Sequence, residues 1–124
     1  MDKRDLEQRT KKFALYVIQF VGNLPSTPAT RVMGHQLLKS GTSIGANYRE
    51  ANRAESINDF IHKIGIVEKE CSESQYWLEL FNEAEIGSEA QRRWLLKEAG
   101  ELLAIFVASG RTAKTNRKNR SRRK

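Results

Sequence analysis

Only two prolines occur in the chain, Pro25 and Pro28, and both fall in one short segment, so the long stretches on either side carry no helix breaker of that kind. From Leu6 onward the apolar residues Phe13, Tyr16, Val17, Phe20, Val21 and Leu24 recur at spacings of three and four. At about 100° per residue, that spacing gathers them on one side of a helix. The helix is expected to end at Leu24, because a residue before proline is pushed out of the helical region. The loop Pro25-Ser-Thr-Pro-Ala is short, so a second helix starting near Thr30 should run back antiparallel, with Met33, Leu37, Ile44, Tyr48 and Ala51 on its apolar face. A third segment, from about Ile57 to Ala84, places Ile57, Phe60, Ile61, Ile64, Val67, Cys71 and Leu78 on a common arc. Gly87 breaks that pattern, Ser88 followed by Gln91 fits a capping box, and a fourth helix carries Leu95, Ala99, Leu102, Leu103 and Phe106 before Gly110. No strand-type alternation competes. The fold expected is all-α, an antiparallel up-and-down four-helix bundle over residues 1–110, followed by a disordered basic tail over residues 111–124.

Three glycines on the second helix require a reason, since each costs about 0.8–1 kcal/mol relative to alanine inside a helix. Gly34, Gly41 and Gly45 project within about 40° of one another, beside the apolar face, where a neighbouring helix can approach closely. The other reading is a helix break at Ser40-Gly-Thr-Ser, with Ser43 capping a new helix. Neither makes a phosphate loop, because no strand precedes the glycines and the Gly-Lys-Ser/Thr order is missing.

Charge divides the chain sharply. The segment Arg111–Lys124 holds eight of the 22 Lys/Arg residues and no acid, whereas residues 1–110 hold 14 bases against all 15 acids. A near-neutral body with a cationic arm is equipped to meet a polyanion, of which nucleic acid is the commonest inside cells. The candidate contacts there are Arg111, Lys114, Arg117, Lys118, Arg120, Arg122, Arg123 and Lys124; the bland alternative is a solvated terminus. On the second helix Arg31, His35, Lys39, Arg49 and Arg53 project within about 80°, opposite Met33 and Ala51, as a basic stripe suited to a phosphate backbone or simply to solvent. Glu68 is the odd acid of the third helix. It projects between Ile61 and Cys71 on the core side, where a cationic partner from another helix is expected.

Catalytic and metal chemistry find little support. Ser40, Ser43 and Cys71 lack an activating context, and two histidines give small scope for a triad. Asp59-x-x-His62 is half of a carboxylate–histidine pair, but a di-iron bundle needs the motif on two helices with further carboxylates, and no metal or other cofactor is expected. The lone cysteine on an apolar face reads as a buried thiol. With no run of 18 apolar residues and no apolar leader in Met-Asp-Lys-Arg-Asp-Leu-Glu-Gln, the chain is expected to work in the cytoplasm without membrane contact. Ile66, Trp77, Phe81, Trp94 and Ile105 project away from the expected core arcs. They mark a candidate oligomer interface, the alternative being a wide core or scattered surface residues.

The runs Gly41-Thr-Ser-Ile-Gly-Ala-Asn-Tyr-Arg-Glu-Ala51, Asp59-Phe-Ile-His-Lys-Ile-Gly-Ile-Val-Glu-Lys-Glu70 and Tyr76-Trp-Leu-Glu-Leu80 carry a family likeness. The chain resembles the bacterial four-helix-bundle proteins of 23S rRNA intervening sequences, the S23 family, which includes the accessory variability proteins of diversity-generating retroelements. The likeness spans about Phe13 to Ser109, and the basic tail departs from the shorter members. It implies an intracellular bacterial protein assembled as a ring, often a pentamer, with a positive surface able to bind nucleic acid. Among retroelement relatives it also implies a reverse-transcriptase partner. The matching positions Gly41, Gly45, Asn47, Tyr48, Arg49, Glu50, Glu70 and Trp77 are equally suited to packing and assembly, and no catalytic residue comes with them. Together these readings predict a non-enzymatic, oligomeric protein that grips RNA or DNA through the backbone with little sequence specificity, or else an adaptor for a reverse transcriptase.

Overall fold

Each of the four helices begins where a short polar side chain can satisfy its first backbone N–H groups. The structure, a computed structural model, describes residues 1–123. Helix α1 (Lys3–Gly22) is capped by Asp2, whose carboxylate accepts from the Asp5 N–H at 2.8 Å. Helix α2 (Pro28–Asn52) starts two residues earlier than the sequence suggests. Thr27 and Thr30 exchange side-chain and backbone hydrogen bonds as a capping box, and Pro28 fills a first-turn position that needs no N–H partner. Ser56 caps α3 (Ile57–Glu83), and the Ser88 hydroxyl accepts from the Gln91 N–H at 3.3 Å at the head of α4 (Glu89–Arg123).

Helix α1 packs against α2 and α4, and α3 packs against the same two, so the elements form the expected up-and-down square. Its interior is filled by Phe13, Phe20, Leu37, Ile44, Ile64, Leu78, Leu95, Leu102 and Phe106, all essentially inaccessible to water. The glycine strip lies where α1 crosses α2, and α2 is unbroken through Ser40-Gly-Thr-Ser. A methyl group added at Gly34 would come within 3.3 Å of Val21, at Gly41 within 3.0 Å of Val17, and at Gly45 within 3.1 Å of Thr10. The absence of side chains therefore sets the distance between the two backbones. Beside the strip, the Ser74 hydroxyl donates to that of Ser40 at 2.9 Å and joins α3 to α2 across the core.

The turn between α3 and α4 takes two left-handed residues, Glu85 at φ 54° and Gly87 at φ 86°. Arg92, almost fully buried, holds it: its guanidinium donates to the Asn82 side chain at 3.1 Å and to the Gly87 carbonyl at 2.6 Å.

Five expectations are corrected. The tail is not a flexible arm, because α4 continues without a break to Arg123, and Lys124 lies outside the described residues. Gly110 marks no helix end: it is buried, and a methyl group there would stand 3.0 Å from the Glu68 carboxylate and 3.5 Å from Ile64, so its role is close approach of α4 to α3. Ala113, one turn further on, is still buried. Glu68 thus faces the α4 backbone at Gly110, and among the described residues it joins no ion pair. Phe81 belongs to the core, packed edge-on against Phe20 at 5.2 Å, while Tyr16, assigned to the core face, is 40% exposed.

Replacing Gly41 by leucine is expected to lower stability by about 2–3 kcal/mol, since the added side chain has to displace buried Val17. Gly65 has open space where a methyl group would go, and Gly65→Ala should raise stability by about 0.5–1 kcal/mol through helix propensity alone. Urea unfolding of the two variants beside the parent checks both signs.

Candidate nucleic-acid interface

Opposite charges are consumed inside the bundle, which decides where positive charge is left over. The Arg9 guanidinium on α1 donates to both oxygens of Glu98, at 2.8 and 2.7 Å, and to Glu101 at 2.9 Å, fastening α1 to α4. The hydrogen bonds to Glu98 are the main reason that this guanidinium is held charged even more firmly than usual. Glu7 accepts from the Asn52 amide at 2.9 Å and lies 3.7 Å from the Arg49 Nε, closing the α1–α2 side. Asp59 accepts from Lys63 at 3.0 Å, the strongest of the influences that lower its carboxyl pKa, and also from the Glu55 N–H. The carboxylate of the Asp59/His62 pair is thereby engaged in capping the start of α3.

The far end of α4 has no such compensation. Arg111, Lys114, Arg117, Lys118, Arg120, Arg122 and Arg123 are all exposed, and among the described residues none takes part in an ion pair. The polar anchor on this stretch is Arg117, which donates to the side-chain oxygen of Asn58 on α3 at 3.0 Å. Beyond Ala113 about ten residues project past the core, which at about 1.5 Å per residue is a helical rod about 15 Å long. The seven cations therefore sit at positions fixed by helical geometry.

The α2 stripe is exposed throughout, as the periodicity predicts, but it is divided. Arg49 and Arg53 lie at the end of the bundle from which α4 projects, with Arg49 partly engaged by Glu7. Arg31 and His35 lie near the opposite end, bordering a pocket of about 230 Å³ behind Pro25, and Lys39 falls between. The structure brings two stripe residues to the same end as the α4 cations and leaves the others apart.

The five apolar candidates also separate. Trp94 is exposed; Ile66 is half-buried, and Trp77 and Ile105 are half-buried against the core; Phe81 is inside. The Trp77 indole N–H is buried without a hydrogen-bond partner. Trp94 packs against Tyr16 of α1 with the ring planes tilted by 60° and 4.5 Å between ring centres, and the Lys12 ammonium lies 5.6 Å from the Tyr16 ring and 5.8 Å from that of Trp94. A shallow pocket of about 280 Å³ adjoins this pair. Leu15, Ile18, Val32 and Tyr76 are further exposed apolar residues outside the five candidates. The signal for Leu15 and Ile18 was present in the first helix, where both fall off the apolar face.

No helix among the described residues is long and apolar enough to cross a membrane. Four capped helices, a core sealed by glycine contacts and an exposed cationic helix end define a small all-helical bundle protein with a basic surface. Within that class the chain belongs to the 23S rRNA-intervening sequence protein family, whose pattern matches residues 3–108. It is similar to a crystallised protein of unknown function from the S23 ribosomal protein family of Bacteroides thetaiotaomicron VPI-5482, at 33% identity and a TM-score of 0.79. The match covers 90% of this chain and 99% of that one. No curated protein matches the chain. The family pattern ends before Arg111, so the cationic end of α4 is additional to it.

Cys71 lies in the sealed interior, where burial first, and the nearby Glu68 and Glu70 carboxylates second, push its thiol up to about 12. At pH 8 a thiol-specific disulfide reagent should leave it unmodified in the folded protein and label it at once in denaturant, with absorbance of the released thiolate as the readout.

Proposed function

We propose that the protein is a non-enzymatic, oligomeric nucleic-acid-binding protein that holds its ligand mainly through the phosphate backbone. The observation that carries this reading is the set of seven exposed, uncompensated cations on the last turns of α4. Repeated guanidinium and ammonium groups on a solvated rod suit a polyphosphate and have little to offer an apolar ligand. Arg49 and Arg53 extend the same end of the bundle. Membership of a family described by 23S rRNA intervening sequences is consistent with RNA as one ligand.

Assembly supplies the second element. The Tyr16–Trp94 pair leaves two aromatic side chains partly in water across α1 and α4, the kind of surface a second copy covers, and Leu15 and Ile18 expose further apolar area on other sides of α1. A ring, with five copies as the resemblance implies, would present several cationic helices to one strand and raise the effective concentration of each. The same patch would serve a protein partner such as a reverse transcriptase in the adaptor reading. Light scattering should give a mass several times that of one chain, and Trp94→Glu should shift it toward one chain without loss of helicity.

Removal of Lys114–Lys124, with buried Ala113 retained, isolates the ionic contribution. If about five of the deleted charges meet phosphates of a single strand, the slope of log K against log salt should become shallower by about 3.5, at about 0.7 per contact. Fluorescence anisotropy with a labelled single strand over a salt series measures it. An unchanged slope would remove α4 from the interface.

A further inference from the structure

The basic composition predicts a flexible arm, but a continuous helix has faces, and the faces of this one differ. Arg117 turns toward the body, where it meets Asn58. On the opposite side Thr115, Asn116, Asn119, Arg122 and Arg123 fall within about 120° of one another, at successive spacings of one, three, three and one residues. Lys118 flanks this face on one side and Arg120 on the other. Asn116 borders the groove lined by Met1 and Leu6, and the face residues beyond it, Asn119, Arg122 and Arg123, are all exposed.

Resting on the nucleic-acid reading above, we infer that the projecting end of α4 lies in the major groove of double-helical DNA, with the Asn119/Arg122/Arg123 face toward base edges and Lys118 and Arg120 on phosphates. Three observations carry it. First, a helix with side chains is about 10–12 Å across, which matches the roughly 12 Å width of the B-form major groove; the deep, narrow A-form groove of duplex RNA does not admit it. Second, asparagine and arginine are the side chains that pair in bidentate fashion with adenine and guanine there, and this face carries both kinds. Third, no aromatic residue follows Phe106, so α4 beyond its core segment lacks the stacking platform by which unpaired bases are held. A basic helix running straight out of a helical bundle into the groove is an established docking geometry for DNA.

The test uses the full chain and four labelled probes of one sequence: a DNA duplex of about two helical turns, the matching RNA duplex, and a single strand of each. The DNA duplex should bind about tenfold or more tighter than the RNA duplex, and dimethyl sulfate should show protection at guanine N7, which lies in the major groove. Asn119→Ala combined with Arg122→Ala should cost about tenfold on the DNA duplex and no more than about threefold on the single strands. Alanine favours the helix, so such a loss is not one of folding. Equal affinity for both duplexes, or protection confined to adenine N3 in the minor groove, would overturn the groove assignment while leaving backbone binding intact. Failure to bind any of the four probes at low salt would overturn the nucleic-acid reading itself.

Discussion

The close approach of α1 to α2 is the contact on which the rest of the bundle depends. Thr10, Val17 and Val21 of α1 lie in turn against Gly45, Gly41 and Gly34 of α2, the opposed chain order that antiparallel helices require. Because each glycine has a partner atom within about contact distance, the register cannot slip by a turn without placing a side chain over backbone. Once α2 is fixed in this way, its other side presents Leu37, Ser40 and Ile44 to α3, and the buried Ser40–Ser74 hydrogen bond holds that second interface at one height. Gly110 repeats the device late in α4, and its closeness to Ile64 and Glu68 lets α4 stay seated on α3 as it leaves the core.

Much of this was legible in the sequence because helical periodicity and capping are local. The limits of α3 and the glycine strip follow from residues within a few turns of one another, whereas α1 ends at Gly22 with Asn23 as its cap, two residues short of the expected Leu24. What escaped depends on partners distant in the chain. Gly110 has the composition of a helix end, and only Glu68, far away in sequence, shows that it is a point of contact. Phe81 sits off the α3 arc defined by Ile64 and Cys71, yet near the end of the bundle the core widens toward Phe20 and takes it in. Arg92 looks like one more surface base, and its burial is intelligible only from the Asn82 and Gly87 oxygens that the α3–α4 turn brings around it.

The candidate site was legible in composition and opaque in form. Eight bases without an acid are visible in the chain, but the same composition that suggests disorder is compatible with a helix once the preceding turns are nucleated. In α4 they are, since Ala99, Leu102, Phe106, Gly110 and Ala113 lock the helix onto the core up to the point of exit. Propagation from a formed helix fixes one residue for each new hydrogen bond and avoids the cost of starting a turn. The division of the α2 stripe could not be seen either, because Glu7 reaches Arg49 from another helix.

A helical end and a positively charged end act on each other. Six same-sign pairs at three- or four-residue spacing, from Arg111/Lys114 to Arg120/Arg123, repel along this rod, at about 0.2–0.5 kcal/mol each when ionic strength is low. Arg120, Arg122 and Arg123 in the last turn recover part of that by facing the negative end of the helix dipole, worth about 0.3–1 kcal/mol apiece. The balance is close, so any polyanion laid along α4 removes the repulsion and leaves the dipole term, tightening the helix as it binds. The reverse also holds. A rod already helical avoids the ordering cost of about 1–2 kcal/mol per residue that a flexible arm meets on binding, so its order and its grip on an anion are two expressions of one coupling.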